Sequence, residues 1–291
     1  MTIWNLGSIN ADLAYAVPRL PVPGETIAAS SLLRGLGGKG ANMSVAAARA
    51  AARVVHLGAV GPEGAWAIER LMEYGVDTRH IARVDATTGH AVILIDDAGE
   101  NSIVIHHGAN HAIPETLLGA ALSEASTGDW LLMQNETLLQ PEAAALARRL
   151  GLKVAYAPAP FEIGLTRTVL PFCDLLVLNE VECDQLIAAT QTGLAELGID
   201  TIVVTEGARG GRIHSRRDGW QAQRFAAPRV EAVDTTGAGD TFSGYLVAGL
   251  DRGMPLLQAV GLAVKAAALM VTRHGTADVI PDLRDVHEAP F

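Results

Sequence analysis

Short apolar runs of strand length alternate with longer runs of helical character along most of the chain. The predicted strands cover residues 2–7, 54–60, 130–134, 153–157, 174–178 and 201–205. The predicted helices cover residues 43–52, 65–74, 114–125, 141–150, 165–170 and 241–250, and a buried apolar helical run covers 263–271. Strands that alternate with helices are typical of an α/β fold, in which a doubly wound, mostly parallel central sheet carries helices on both faces.

Other segments follow the period of two that is typical of antiparallel hairpins. Residues 88–95 and 102–107 alternate in this way around a polar turn. A second hairpin is predicted from residues 210–215 and 220–225, and a strand-like run at 229–233 leads into a glycine-rich turn. The first hairpin interrupts the α/β alternation, which indicates a small sheet separate from the central one.

The same alternation appears near the N-terminus, at residues 13–17, before a series of prolines. We predict a small β-sheet lid built from about residues 11–35 and 87–108. This lid is inserted into a single α/β domain that spans residues 1–291.

Composition narrows the class of protein. The chain has 291 residues, of which 49% are hydrophobic, and carries a net charge of −10. The acidic balance argues against a nucleic-acid or anionic-membrane partner. Cys173 and Cys183 form no CxxC motif and indicate neither a zinc site nor a disulfide framework. The chain shows no signal-like segment and no apolar run of about 18 residues, so we expect a cytoplasmic protein.

A glycine-rich turn at residues 237–240 stands between the strand-like run and an apolar helix. Gly237 and Gly239 leave the backbone N–H groups accessible, and the N-terminus of a helix favours an anion. Asp240 places a carboxylate in this same turn. A phosphoryl-transfer site needs both features, donors for the phosphate and a base for the incoming hydroxyl. The alternative is an ordinary glycine turn in which Asp240 caps the helix.

A second glycine-rich loop, at residues 35–42, contains a literal G-x-G-x-x-G. A dinucleotide-binding interpretation needs a buried strand just before it, and residues 28–31 are a poor candidate. A Walker A interpretation fails because Lys39 is followed by Gly40 instead of Ser or Thr. The loop therefore brings backbone, one cation and the amide of Asn42 close to a polar ligand.

Polar residues recur where the predicted strands end. They are Asn10, Asp12, Glu136, Asn179, Glu182, Thr205 and Gly207. Ligands of open α/β sheets gather at the carboxyl ends of the strands. The pattern predicts a ligand site along this edge, with Asn10 and Asp12 on one face of an extended segment and binding a polyol; a simple turn cap is the alternative for that pair.

These motifs resemble the signatures of the ribokinase-like (PfkB) carbohydrate kinases. The resemblance rests on residues 7–12, 37–42 and 234–240, on Asn179-x-x-Glu182 and on Thr205-x-Gly207-x-x-Gly210. It extends from residue 3 to about residue 281.

The resemblance implies ATP-dependent phosphorylation of a sugar hydroxyl. Asp240 would be the catalytic base, and the backbone N–H groups of residues 237–240 would form an anion hole. The catalytic set is Gly237, Ala238, Gly239 and Asp240. The nucleotide set is Asn179, Thr205, Gly207, Gly210 and Gly239. Asn179 and Glu182 would hold Mg²⁺, partly through water; an ordinary acid in the first turn of a helix is the alternative for Glu182.

Within this family the match is closest to the ribokinases, which implies a pentose, D-ribose first, as the substrate. The implied sugar ligands are Asn10, Asp12, Gly38, Lys39, Asn42, Glu136 and Asp240. A monovalent cation, K⁺ above all, is implied beside the anion hole, at Asp234, Thr236, Met270, Arg273, Gly275 and Val279. Val279 departs from the usual Ser, so a hydroxyl ligand is lost there. The lid would also pair two subunits into a homodimer.

Two alternatives stay open. The same chemistry could act on another sugar, a sugar acid or a nucleoside, such as fructose, 2-keto-3-deoxygluconate or adenosine. A non-catalytic sugar-binding protein on the same fold is the alternative from a different class, although Asp240, Gly237 and Gly239 are all intact.

Overall fold

The computed structural model describes all residues, 1–291, and contains thirteen strands and nine α-helices. The strands are β1 (Thr2–Leu6), β2 (Asn10–Ala16), β3 (Ser31–Gly37), β4 (Arg53–Val60), β5 (Asp77–Arg83), β6 (Gly89–Ile95), β7 (Asn101–His106), β8 (Trp130–Met133), β9 (Lys153–Tyr156), β10 (Leu175–Asn179), β11 (Thr201–Thr205), β12 (Gly211–Ser215) and β13 (Gln223–Phe225). The helices are α1 (Lys39–Arg49), α2 (Ala65–Glu73), α3 (Glu115–Leu122), α4 (Gln140–Arg149), α5 (Ile163–Val169), α6 (Glu180–Thr190), α7 (Ala238–Asp251), α8 (Leu256–Met270) and α9 (Leu283–Glu288).

Nine strands form the central sheet, in the order β13-β12-β11-β10-β9-β8-β1-β4-β5. All neighbours from β11 to β5 are parallel, and only the β11-β12 and β12-β13 pairs are antiparallel. Alternate residues of each strand point to opposite faces, so the sheet supports two apolar cores. One core packs against α1, α2, α7 and α8. The other packs against α3, α4, α5 and α6. The predicted doubly wound α/β fold is confirmed.

Four strands form a separate small sheet, in the order β3-β2-β6-β7. The β6-β7 pair is the predicted hairpin, and β2 runs parallel to β6 and antiparallel to β3. All six residues of β7 are exposed. This sheet is called the lid sheet below. Its strands are inserted in the chain at two places, β2 and β3 between β1 and α1, and β6 and β7 between β5 and α3.

Some predicted elements were wrong or incomplete. Residues 229–233 form no strand. The central sheet ends at β13, so this run has no strand to pair with, and the backbone N–H of Val233 donates instead to the carbonyl of Val271, at the end of α8. Strand β5 was missed because it is a polar edge strand in which only Ile81 is buried. Helix α8 begins seven residues earlier than the apolar run that predicted it, at Leu256 instead of Ala263. None of the helices has the length and apolar character needed to cross a bilayer.

Candidate active site

The loops that carry the predicted site residues leave the same edge of the central sheet. Leu6, the last residue of β1, lies opposite Met133, the last residue of β8. Asn179 and Thr205 lie opposite each other at the ends of β10 and β11. Because these strands are parallel, their carboxyl ends form one continuous edge, where ligands of such sheets bind.

Two loops meet backbone to backbone at this edge: the first loop, residues 7–12, and the glycine loop, residues 37–42. A Cβ atom on Gly7 would lie 2.4 Å from the Cα atom of Gly40. Gly38 has a φ of 90°, a conformation that a side chain would strain. The glycines are therefore needed for the close approach of the loops. The dinucleotide interpretation is wrong, because the strand before this glycine loop, β3, belongs to the lid sheet.

Glu136 ties the two loops together from the end of β8. Its Oε2 atom accepts a hydrogen bond from Ser8 Oγ at 2.6 Å and another from the backbone nitrogen of Lys39 at 3.0 Å. The Glu136 side chain is buried. Since both bonds go to Oε2, the second carboxylate oxygen is left for a ligand.

Asn10 is held in one orientation by Asn110, which follows the lid hairpin. The backbone N–H of Ile9 donates to Asn110 Oδ1 at 2.9 Å, so the Asn110 amide nitrogen must point the other way. That nitrogen donates to Asn10 Oδ1 at 2.7 Å. The acceptor of Asn10 is thereby occupied, and its own Nδ2 group is the one available to donate to a sugar oxygen.

Asp12 packs directly on Gly37 of the glycine loop. A Cβ atom on Gly37 would lie 2.0 Å from Asp12 Oδ2, so any side chain there would displace the Asp12 carboxylate. Burial, with the nearby charges of Glu136 and Asp240, raises the pKa of Asp12 to about 7 against the smaller opposing effect of the Thr276 hydroxyl. Asp12 therefore titrates near neutral pH.

Asp240, Asn42 and Lys39 form the centre of the site. Asn42 Nδ2 donates to Asp240 Oδ2 at 2.9 Å, while Asn42 Oδ1 is buried without a partner. Burial raises the pKa of Asp240, and the Lys39 charge and the Asn42 hydrogen bond oppose this rise. The Asp240 charge in turn raises the pKa of Lys39. The arrangement places a buried carboxylate beside a cation and an amide that orients it.

The turn before Asp240 opens helix α7 earlier than predicted. The helix begins at Ala238, and Gly237 precedes it with a φ of 79°. Residues 238–240 therefore lie in the first turn, whose N–H groups have no acceptors within the helix. The N–H of Ala238 is partly engaged, since it donates to the Thr235 carbonyl at 3.2 Å. Gly239 and Asp240 supply the less encumbered donors of the predicted anion hole.

A cavity of about 360 Å³ opens on the other side of this turn. Thr205, Gly207, Gly210 and Gly239, four of the predicted nucleotide ligands, line it. Its remaining walls are mostly apolar and were not predicted; they include Phe225, Ala227, Val230, Phe242, Val264 and Val271. An apolar cavity with a few polar groups at one end suits a flat aromatic base attached to a polar group.

Asn179, the fifth predicted nucleotide ligand, does not line the cavity. It caps helix α6 together with Glu182: Asn179 Oδ1 accepts from the Glu182 N–H, and Glu182 Oε2 accepts from the Asn179 N–H, each at 2.8 Å. Burial raises the pKa of Glu182; the Lys39 charge lowers this pKa and the Asp240 charge raises it. Glu182 keeps one carboxylate oxygen outside the capping box, and a free carboxylate oxygen fits a hard cation held partly through water.

The predicted monovalent-cation residues are contiguous in the structure. Asp234 joins two of them, since it accepts hydrogen bonds from the N–H of Thr236 at 2.9 Å and of Gly275 at 3.2 Å. The Arg273 N–H donates to the Met270 carbonyl, and the Arg273 guanidinium reaches the Val279 carbonyl at 3.4 Å. One carboxylate with several carbonyl oxygens fits a hard monovalent cation, but the apolar side chain of Val279 adds no oxygen.

Sequence reasoning missed Ser8 and Asn110, which touch the predicted sugar ligands directly. Ser8 lies in the first loop, among the residues that carry the family resemblance, and Asn110 lies just after the lid hairpin. Their roles depend on partners far away in sequence, so no local pattern could assign them.

Comparison with known proteins agrees with this geometry. A family model described as pfkB family carbohydrate kinase matches residues 2–283. A ribokinase of Haemophilus influenzae is 35% identical over 302 residues, covering 99% of this chain and 97% of that protein. A deoxyribokinase of Salmonella typhi is 32% identical over 303 residues, covering 99% and 98%. The structure of Arabidopsis thaliana ribokinase complexed with ribose and ATP matches with a TM-score of 0.87 and 27% identity, covering 98% and 97%.

Fold and site together define an enzyme that transfers a phosphoryl group to an alcohol group, a phosphotransferase. The chain belongs to the pfkB family of carbohydrate kinases.

Proposed function

We propose that this protein transfers the γ-phosphoryl group of ATP to a hydroxyl of D-ribose, giving ribose 5-phosphate and ADP. The observation that carries the proposal is that a single turn, residues 237–240, faces two compartments. Gly239 lines the cavity suited to a nucleotide, and Asp240 faces the pocket of polar side chains. The similarity to ribokinases, one of them in complex with ribose and ATP, supports the choice of substrates.

In this proposal the polar pocket binds the pentose. Asn10 donates through Nδ2, Asp12 and Glu136 accept through carboxylate oxygens, and Asn42 contacts the sugar from beside Asp240. Gly38 and Lys39 complete the set from the glycine loop. Charge-assisted bonds to carboxylates are stronger than neutral ones, so the acidic side chains supply most of the affinity.

Asp240 then accepts the proton of the attacking hydroxyl. Asn42 orients the carboxylate, and burial raises the pKa of Asp240 and so its affinity for the proton. The hydroxyl oxygen bonds to the γ-phosphorus as the bond to the leaving ADP breaks. The N–H groups of residues 237–240 and the cation of Lys39 stabilise the charge on the transferring group.

Two cations complete the proposal. Glu182 and Asn179 would hold Mg²⁺ partly through water, and the ion would supply positive charge for the phosphates. Oxygens of Asp234, Thr236, Met270, Arg273, Gly275 and Val279 would hold a monovalent cation, K⁺, which would stabilise the anion-hole turn. The Val279 side chain offers no oxygen, so we expect K⁺ to bind more weakly than it would beside a Ser.

We also propose that the chain is one α/β domain, residues 1–291, with the lid sheet inserted, and that two copies pair through that sheet. The support is the exposed apolar side chains on its two outer strands, with Leu33 at 73% exposure on β3 and Val104 at 68% on β7. Exposed apolar side chains concentrated in one small sheet are typical of a surface that a partner covers. A cytoplasmic location stays a prediction.

The test is ADP release from Mg·ATP, with and without K⁺, across D-ribose, 2-deoxyribose, fructose, 2-keto-3-deoxygluconate and adenosine. We expect the highest kcat/KM on D-ribose. The similarity to a deoxyribokinase makes 2-deoxyribose the second candidate. Turnover confined to another panel member would overturn the proposed substrate and keep the kinase chemistry.

A further inference from the structure

A chain of buried polar groups runs beneath the first loop and the glycine loop. Gln134 Nε2 donates to Asn5 Oδ1 at 2.9 Å, and Asn5 Nδ2 lies 2.7 Å from Ser44 Oγ. Ser44 Oγ lies 2.8 Å from His56 Nδ1, and His56 Nε2 lies 3.1 Å from the Gly7 carbonyl. Asn5, Ser44 and His56 are fully buried. None of these three side chains belongs to the proposed sugar or nucleotide sites.

Each group in this buried hydrogen-bond network donates to the next one, from Gln134 to the Gly7 carbonyl. The Gly7 carbonyl can only accept, so His56 Nε2 carries the proton and Nδ1 accepts from the Ser44 hydroxyl. Burial lowers the pKa of His56 to about 4, which keeps the ring neutral, as this arrangement requires. Asn5 Nδ2 also donates to the Gly40 carbonyl at 2.7 Å, which independently fixes the orientation of the Asn5 amide.

The buried network makes hydrogen bonds to both loops at the point where they touch. His56 donates to the carbonyl of Gly7, and Asn5 donates to the carbonyl of Gly40. These are the two glycines whose backbones pack together. Asn5 and His56 also lie opposite each other on β1 and β4, so the strands themselves bring the two side chains side by side.

Gly58 provides the space for this contact. A Cβ atom at Gly58 would lie 2.8 Å from His56 Nε2 and 3.0 Å from the Gly7 carbonyl oxygen. An apolar side chain at Asn5, Ser44 or His56 would fill the core without needing partners. The side chains of Asn5, Ser44 and His56 have partners for all the polar atoms named above, whereas Gln134 Oε1 has none. Buried polar groups that are satisfied in this way specify one arrangement of the groups they join.

We propose that Asn5, Ser44 and His56 are positioning residues for sugar binding. They fix the distance between the first loop and the glycine loop, and so the geometry in which Asn10 and Lys39 meet the same ligand. This inference rests on the proposed function, since it assumes that both loops contact the sugar.

The test uses His56→Phe, which keeps an aromatic ring and removes both hydrogen bonds. Loss of such buried bonds has an effect of about tenfold or more in an equilibrium constant. We expect KM for the acceptor sugar to rise about tenfold, while KM for ATP stays within about twofold, because the nucleotide cavity lies apart from both loops. His56→Gln, which can still donate to Gly7, should recover part of the sugar affinity.

Leu122→Ala is the matched control, because Leu122 is fully buried in the core on the opposite face of the sheet. It should lower Tm and leave KM for the sugar unchanged. An unchanged sugar KM in His56→Phe, or an equal rise in Leu122→Ala, would overturn the inference. If His56→Phe does not fold, Ser44→Ala breaks the same chain with a smaller change, and the same outcomes apply to it.

Hydrogen exchange in the free protein separates this inference from the proposed function. His56→Phe should speed amide exchange in residues 7–12 and 37–42 more than in the rest of the chain, whichever acceptor the enzyme uses. Unchanged exchange in those loops would overturn the positioning role. Absence of turnover on every sugar of the panel would instead overturn the proposed function alone.

Discussion

Three carboxyl groups, those of Asp12, Glu136 and Asp240, share the sugar pocket with a single cation, Lys39. Burial and the mutual repulsion of the acids raise the pKa of Asp12 and of Asp240, and the charges of Asp240 and Glu136 raise the pKa of Lys39. A neutral polyol that accepts and donates hydrogen bonds suits such a pocket better than a ligand that brings a further carboxylate. The residue-scale chemistry thus favours an uncharged sugar over a sugar acid.

Asp12 gives a prediction for the pH dependence of sugar binding. Its pKa is raised to about 7, so its carboxylate takes up a proton as pH falls through 7 and loses an acceptor for the sugar. We expect the Kd for the sugar to rise about tenfold between pH 8 and pH 6, measured by calorimetry without nucleotide. Asp12→Asn should bind more weakly at pH 8 and show a nearly flat profile. A wild-type Kd that is constant over this range would contradict this assignment.

The sequence identified the residues whose roles are local. The glycines and Asp240 of the anion turn are predicted from the chemistry of a helix N-terminus, and the resemblance implies Asn42 and Asp240 as sugar ligands without showing that they touch. His56 and Asn110 could not be found in this way. Their partners, Gly7 and Asn10, lie 49 and 100 residues away, and only the folded sheet brings them together.

At the scale of elements, the start of helix α7 organises the site. It carries the proposed base and the proposed anion turn, and it lies against the end of α8 through Met270, whose Cε would be 2.9 Å from a Cβ on Gly237. The segment that holds the proposed K⁺ ligands follows α8 directly. An ion bound there would act on the anion turn through Asp234, which accepts hydrogen bonds from Thr236 before the turn and from Gly275 after α8.

Val279→Ser tests this cation site. The added hydroxyl should supply one more oxygen ligand, so we expect the K⁺ concentration for half-maximal activation to fall about fivefold, as expected for one added interaction of about 1 kcal/mol. The measurement is turnover against K⁺ at constant ionic strength. Val279→Ala shortens the side chain without adding an oxygen and should leave the K⁺ dependence unchanged. Identical K⁺ curves for the two variants would place residue 279 outside the cation site.

Most elements were predictable because buried parallel strands and their helices have strong patterns. The exceptions have physical causes. Strand β5 is a polar edge strand, and residues 229–233 have strand-like side chains but no neighbouring strand. The apolar wall of the cavity was also missed. Its residues come from β13, from the segment between β13 and α7, and from α7 and α8, so no single stretch of sequence shows it.

At the scale of the whole molecule, the central sheet buries both faces while the lid sheet leaves apolar side chains in solvent. A dimer through the lid sheet would cover them, and β2 of the same sheet carries Asn10 and Asp12. Pairing of two copies would then support the geometry of the sugar-binding loops.

Val104→Lys tests the dimer. A charge at this position of β7 should disfavour burial between two lid sheets, so light scattering should show the mass of one chain in place of two. Val181→Lys is the matched control, since Val181 is similarly exposed, at 64%, but lies on α6 away from the lid sheet. A wild-type protein that is monomeric at micromolar concentration would contradict the proposed dimer.

The most direct test of the central claim is sugar-dependent ADP release by Asp240→Asn, with ATP binding measured alongside. Asn cannot take the hydroxyl proton, so kcat should fall by about 10²–10⁴-fold while the Kd for ATP stays within about twofold. Asp251→Asn changes a buried acid at the far end of the same helix and should retain turnover. Turnover of Asp240→Asn within about tenfold of the wild type would remove Asp240 from the role of base and contradict the proposed mechanism.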